Sequence, residues 1–187
     1  MKKVLTKDQI DALKKAVLDH PSKRYNASGA CVIGRGRSAK ESGDCILAWK
    51  DLLGKDLWDL LERITYPPEL PIDGVAANIY EKGASFGLHI DGSYSGDPEN
   101  NIITYTNIIV LERSDDLEGG LLVKTDLSFL NPYIISNIEF KNTPLEVLDL
   151  QEGEMTFWDN TTIHGVSQVK KGYRMTIGIG KLVKKNG

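Results

Sequence analysis

The chain has 187 residues, 41% of them hydrophobic and 26% charged, the balance of an ordinary globular protein. That excludes a disordered chain, a collagen-like fibre and a membrane channel. Twenty-three basic against twenty-six acidic residues give a net charge of −3 and a pI of about 5.7, so no global field draws the chain to nucleic acid or an anionic membrane.

The length predicts one domain over residues 1–187, with a helical part over about 1–66 and a β core over about 72–183. A chain of this size buries enough surface to be stable without disulfides or a structural metal. No run approaches the roughly eighteen apolar residues of a spanning helix, and Met1 to Asp8 lacks the apolar segment of a signal peptide. The expectation is a cytoplasmic protein. Cys31 and Cys45 fit neither a redox pair nor a zinc ribbon and read as free thiols.

The first helix is predicted from Thr6 to Pro21. Thr6 and Gln9 form a capping box, Leu5 and Ile10 the hydrophobic staple across it, and Ile10, Leu13, Ala16 and Val17 one apolar face. His20, at its C-terminus, is placed to act as a cationic cap. A strand and loop containing Gly34-Arg35-Gly36-Arg37 follow, and the loop reads as solvated rather than as a phosphate or RNA site. A second helix is predicted from about Asp44 to Ile64, with Gly54 as a break and Pro67-Pro68 as the stop. From Ile72 the pattern changes to short strands: Val75 to Tyr80, Phe86 to Asp91, Ile102 to Leu111, Leu121 to Lys124, Leu145 to Leu150, Met155 to Trp158 and Tyr173 to Leu182. Two helices followed by such strands predict a mainly β, α+β protein, a β-sandwich or jelly roll with the helices packed on the outer face of one sheet.

Chemistry concentrates in two places. In a strand, His89 and Asp91 point to one face with Cα atoms roughly 6.5 Å apart, so imidazole and carboxylate can share a metal ion. A second imidazole, His164, would complete two histidines and one carboxylate with open positions on the ion, the ligand set of non-haem Fe(II) oxygenases. On the last strand Arg174 and Thr176 share one face, while Met175, Ile177 and Ile179 share the other. The apolar face suits the helices, which turns Arg174 into the sandwich interior. A buried guanidinium requires an anion, either a bound carboxylate gripped bidentately or a protein aspartate. Trp158 reads equally well as pocket wall or core. Tyr94, Asp97 and Glu99 lie in a polar loop placed to act as a substrate lid.

His89-Ile90-Asp91, His164 and Arg174 ten residues later resemble the Fe(II)- and 2-oxoglutarate-dependent oxygenases, in their prolyl-4-hydroxylase-like branch. The resemblance runs from about Val75 to Lys181 and includes Tyr80, Glu118-Gly119-Gly120 and the segments around His164 and Arg174. It implies a double-stranded β-helix, with His89, Asp91 and His164 as iron ligands, Arg174 on the distal carboxylate of 2-oxoglutarate, and Thr176 and Tyr80 as hydrogen-bonding helpers. It also implies dioxygen as a substrate, ascorbate as an optional accessory, and hydroxylation of an unactivated C–H bond in a peptidyl prolyl or other amino-acid residue or in a small metabolite. Phe86 and Val110 stand where family members often carry tyrosines, and collagen-type members have lysine at the Arg174 position. A same-fold nucleic-acid oxygenase is the first rival, but Met175 to Gly180 lacks the second arginine typical of that group. A non-catalytic binding sandwich and a zinc hydrolase are the others.

Overall fold

The computed structural model describes residues 3–89, 91, 102–125, 145–159 and 162–184. The loop carrying Tyr94, Asp97 and Glu99 lies outside them. Ten strands among the described residues form two sheets, one of six in the order β1-β2-β3-β10-β5-β8 and one of four in the order β4-β9-β6-β7. All of these pairings are antiparallel. The larger sheet holds β1 (Lys23–Tyr25), β2 (Cys31–Ile33), β3 (Gly74–Tyr80), β5 (Ile102–Arg113), β8 (Met155–Asp159) and β10 (Arg174–Lys184); the smaller holds β4 (Phe86–His89), β6 (Leu122–Thr125), β7 (Glu146–Leu148) and β9 (Ile163–Val166). This is the expected jelly roll.

Two helices cover the outer face of the larger sheet. In α1 (Lys7–Asp19) the Thr6 hydroxyl accepts from the Gln9 N–H and the Gln9 side chain accepts from the Thr6 N–H, closing the predicted capping box. Its buried face of Ile10, Leu13, Ala16 and Val17 joins Trp49, Leu53, Trp58 and Leu61 of α2 (Ala39–Ile64). These side chains pack on Met175, Ile177 and Ile179 of β10. Each fully buried aliphatic side chain contributes roughly 1.5–3 kcal/mol by leaving water. The helix face of the last strand is thus the apolar one, as the alternation required.

Two expectations are corrected. The second helix starts at Ala39 rather than Asp44, because Ser38 caps it: its hydroxyl accepts from the Glu41 N–H at 3.2 Å. The chain does break at Gly54, whose φ is +66°. His20 is not a cationic cap. Its ring is 1% exposed and packs on Trp49, and Nδ1 accepts from the Ser22 N–H at 3.1 Å, which only an unprotonated nitrogen can do. Burial pushes its pKa down, in line with a neutral ring. The strand expected before α2 is β2, and β1, which was not expected, extends the larger sheet beyond it.

Lys181 has no counterpart in the sequence reading. It lies on the helix-facing side of β10 and is fully buried, with Nζ donating to the carbonyls of Glu62 (2.7 Å), Thr65 (3.0 Å) and Pro67 (2.7 Å). An ammonium here satisfies the Glu62 carbonyl in the last turn of α2 and the Thr65 and Pro67 carbonyls of the turn after it.

Candidate metal centre and anion site

β4 and β9 are neighbours in the smaller sheet, and His89 sits directly opposite His164 in their register. Asp91 follows β4 by two residues and turns its carboxylate between the two rings. His89 Nε2 lies 3.4 Å from Asp91 Oδ1, and His164 Nε2 lies 3.2 Å from Oδ2. The three donor atoms fall within 4.8 Å of one another, the spread of a single metal site.

The hydrogen bonds around the rings fix which nitrogen is available. His89 Nδ1 is 2.8 Å from the Gly87 carbonyl and His164 Nδ1 is 3.1 Å from the Thr162 carbonyl. A carbonyl only accepts, so both Nδ1 atoms carry hydrogen, and both Nε2 atoms are the ones turned toward the carboxylate. Neutral imidazoles would then aim two lone pairs at a carboxylate, an arrangement that needs positive charge among the three. Two protons supply it, and so does one dication: either leaves the cluster at a net +1. The donor set of two imidazoles and a carboxylate therefore fits a divalent transition metal.

Asp91 is ionised. Burial opposes this, but hydrogen bonds from His164, His89 and the Thr106 hydroxyl outweigh it and hold the carboxyl well below the usual carboxylate range. Trp158 also donates its indole N–H to Asp91 Oδ2 at 3.4 Å, and its ring packs 4.3 Å from that of His164. Trp158 is thus both pocket wall and core, since it also joins the cluster of Val110, Leu122, Leu148 and Leu150.

Arg174 opens onto the same cavity, of about 290 Å³, as do Thr176 and Tyr80. It is 2% exposed, and burial pulls its pKa down to about 10. Its Nη1 donates to the Gly120 carbonyl at 2.7 Å, while Nε and Nη2 are buried with no hydrogen-bond partner among the described residues. No carboxylate among the described residues pairs with it: Asp149 is taken by Arg113 at 2.5 Å. The Gly119-Gly120 turn that delivers the carbonyl needs positive φ at both residues, +74° and +62°, which glycine adopts without strain. A buried guanidinium with two idle nitrogens, Nε and Nη2, is an anion site. The protein aspartate offered as an alternative partner is not among the described residues.

All six sequence-predicted residues, His89, Asp91, His164, Arg174, Thr176 and Tyr80, line one cavity. Tyr80 is paired with Arg174 across β3 and β10, and Thr176 with Asn78. Phe86 packs on His89 with ring centres 4.6 Å apart and planes tilted by 40°, and Val110 is fully buried in its apolar cluster; neither supplies a hydroxyl. The arginines of the loop read as solvated, Arg35 and Arg37, are exposed, and Gly34, Arg35 and Gly36 border this cavity.

No family model matches the sequence. The chain is 25% identical over 185 residues to a PKHD-type hydroxylase of Saccharophagus degradans, which covers 92% of this chain and 72% of that one. Against a PKHD-type hydroxylase of Paraburkholderia xenovorans it is 30% identical over 140 residues, but it spans only about half, 52%, of that relative's length. Among solved structures, a 2OG-Fe(II) oxygenase-family oxidoreductase from Burkholderia pseudomallei superposes with a TM-score of 0.61, at 14% identity, over 95% of this chain and 81% of that one. A Pseudomonas putida prolyl-4-hydroxylase does so with a TM-score of 0.55, at 14% identity, over 100% and 91%. The chain has the fold of the 2-oxoglutarate- and Fe(II)-dependent oxygenases. Its sequence similarity to the PKHD-type hydroxylases extends over most of its length.

Proposed function

We propose that this protein is an Fe(II)- and 2-oxoglutarate-dependent dioxygenase that hydroxylates an unactivated C–H bond. The observation that carries the reading is the pairing, in one cavity, of a three-acceptor cluster with a buried guanidinium whose Nε and Nη2 have no partner among the described residues. In this assignment His89, Asp91 and His164 hold the iron. Arg174 takes the distal carboxylate of 2-oxoglutarate, with Thr176 and Tyr80 beside it. The iron supplies dioxygen activation and oxidative decarboxylation of 2-oxoglutarate to succinate and carbon dioxide; ascorbate serves as an accessory reductant.

The chain's own residues position and exclude. The Gly87 and Thr162 carbonyls hold the two rings with Nε2 facing inward. Thr106 and Trp158 fix the carboxylate. Ile108, Leu122 and Trp158 form an apolar wall beside the reacting centre. The acceptor is an amino-acid residue, peptidyl proline among the candidates, or a small metabolite. The decisive experiment is succinate formation from 2-oxoglutarate with ferrous iron under air. Wild type produces succinate, and His89→Ala and Asp91→Ala do not. Wild-type turnover in the His89 variant would overturn the metal assignment.

A further inference from the structure

The three acceptors of the cluster come from the smaller sheet or the chain that leaves it: His89 ends β4, Asp91 follows two residues later, and His164 lies in β9. Two donors to the Asp91 carboxylate come from the larger sheet. They are the Thr106 hydroxyl of β5 and the Trp158 indole N–H of β8. Thr106 and Trp158 stand directly opposite one another in the β5–β8 register, so one cross-strand pair carries both. Alternation along β8 turns Trp158 inward, 5% exposed, and leaves Phe157 on the other face at 45%. Both members of the pair line the cavity. Asp91 is thus held between the sheets: its backbone continues a strand of one, and its donors stand on the other.

The two oxygens of that carboxylate are not equivalent. Oδ2 lies 3.2 Å from His164 Nε2 and also accepts the indole N–H at 3.4 Å, whereas Oδ1 lies 3.4 Å from His89 Nε2. A hydrogen bond to one oxygen draws charge from it and occupies one of its lone pairs. The other oxygen is then the better metal donor. The indole is not free to turn away and release Oδ2. Its ring packs 4.3 Å from the His164 ring and sits among Val110, Leu122, Leu148 and Leu150. A rigid N–H fixed on one oxygen favours a carboxylate that ligates through one atom over one that chelates through both.

We propose, resting on the oxygenase reading above, that Trp158 is a positioning residue that keeps Asp91 a one-oxygen ligand, through Oδ1. The indole N–H holds Oδ2 off the ion, and the Thr106 hydroxyl steadies the same carboxylate from the paired strand. What this protects is one coordination position. A six-coordinate ion with two imidazoles and one carboxylate oxygen keeps three positions open, two for the oxo-acid end of 2-oxoglutarate and one for dioxygen. Chelation by Asp91 fills one of the three. The larger sheet, which carries Arg174 for the far end of the cosubstrate, thereby also keeps a place on the metal for its near end.

The test removes the N–H in two ways: Trp158→Phe, and site-specific replacement of Trp158 by benzothienylalanine, which puts sulfur in place of the N–H at nearly constant shape. The second keeps the packing where phenylalanine leaves a destabilising cavity. Infrared difference spectra between Mn²⁺-loaded and metal-free protein read how the carboxylate binds, since its two stretching bands lie far apart for a one-oxygen ligand and closer together for a chelate. Wild type shows the wide separation and both replacements the narrow one. In calorimetry on Mn²⁺-loaded protein, 2-oxoglutarate binds both replacements about tenfold more weakly or worse. The cosubstrate must there displace a carboxylate oxygen that the N–H no longer restrains, and one hydrogen bond to a charged group is worth about that factor. Mn²⁺ affinity without cosubstrate does not fall. Three results in the benzothienylalanine protein would each overturn the proposal: an unchanged band separation, wild-type 2-oxoglutarate affinity, or a tenfold loss of Mn²⁺ affinity, which is the mark of general support for the ligands. The oxygenase reading fails separately, through absence of iron-dependent succinate formation in wild type, because the infrared comparison needs neither turnover nor 2-oxoglutarate.

Discussion

Arg174→Met separates a guanidinium that holds the fold from one that waits for a ligand. In the protein without 2-oxoglutarate, Arg174 has one hydrogen bond among the described residues, to the Gly120 carbonyl, and two buried nitrogens, Nε and Nη2, without partners there. Each unsatisfied buried donor costs about 1–3 kcal/mol, and the single charged bond returns about 1.5–3 kcal/mol. Replacement by methionine, similar in length and uncharged, therefore leaves stability within about 1–2 kcal/mol of wild type or raises it. For a chain of this size that is a Tm change within about 2–8 °C. Cosubstrate affinity moves the other way. Losing the guanidinium strands a carboxylate in a poorly hydrated pocket, at about 2–5 kcal/mol, or about 30-fold and more in Kd. Arg174→Lys falls between the two, since it keeps the charge and loses the fork. The assay is thermal unfolding and calorimetric titration with 2-oxoglutarate on Zn²⁺-loaded protein, alongside metal binding without cosubstrate, which stays at the wild-type value. A Met variant that loses several kcal/mol of stability makes Arg174 structural. One that binds 2-oxoglutarate like wild type moves the anchor elsewhere.

Zn²⁺ or Mn²⁺ affinity should fall steadily from pH 8 to pH 5, because metal and protons compete for the two Nε2 atoms; a flat profile in calorimetry would argue against histidine ligation. Tyr173 tests the alkaline side of stability. Its hydroxyl donates to Glu112, which with burial pushes its pKa up to about 12. The folded state keeps this proton while the unfolded chain loses it near the ordinary value of about 10. The contribution is complete below pH 10 and is lost as pH rises from about 10 to 12, so Tyr173→Phe should flatten that limb in denaturant titrations. Lys181→Met should cost about 2–5 kcal/mol, since three carbonyls lose a charged donor; a Tm within a degree of wild type would contradict this capping role.

What the sequence made legible was whatever follows from local period. The H-x-D pair needs only strand alternation to share a face, and the alternation of β10 separates Arg174 and Thr176 from Met175, Ile177 and Ile179 without any knowledge of the partner sheet. The start of α2 was readable too, since Ser38 and Glu41 have capping-box spacing, but the apolar period begins later and drew the boundary to Asp44. The Gly-Arg-Gly-Arg loop has the composition of a solvated turn, and Arg35 and Arg37 are exposed as that composition suggests; what the sequence did not show is that Gly34 and Gly36 are held against Trp49 and the first turns of α2. His20 failed for a related reason: a helix C-terminus favours a cation in water, but here desolvation under Trp49 wins.

The two buried cations of β10 show how partner number distinguishes the purposes of a costly group. Arg174 and Lys181 lie on one strand, on opposite faces, and are 2% and 0% exposed. Both pay for desolvation, and burial lowers both pKa values. Lys181 recovers the cost within the protein: three carbonyls at the end of α2 match the three donors of an ammonium. Arg174 does not, since five donors meet one carbonyl inside a cavity that also holds the acceptor cluster. A cation whose donors are matched internally can be explained by the fold alone. One left unmatched lowers the stability of the empty protein, and that cost is recovered only when an anion enters. The surplus N–H groups of Arg174 are thus the part of its binding energy that folding leaves unspent, which is why its replacement should separate stability from cosubstrate affinity while that of Lys181 cannot.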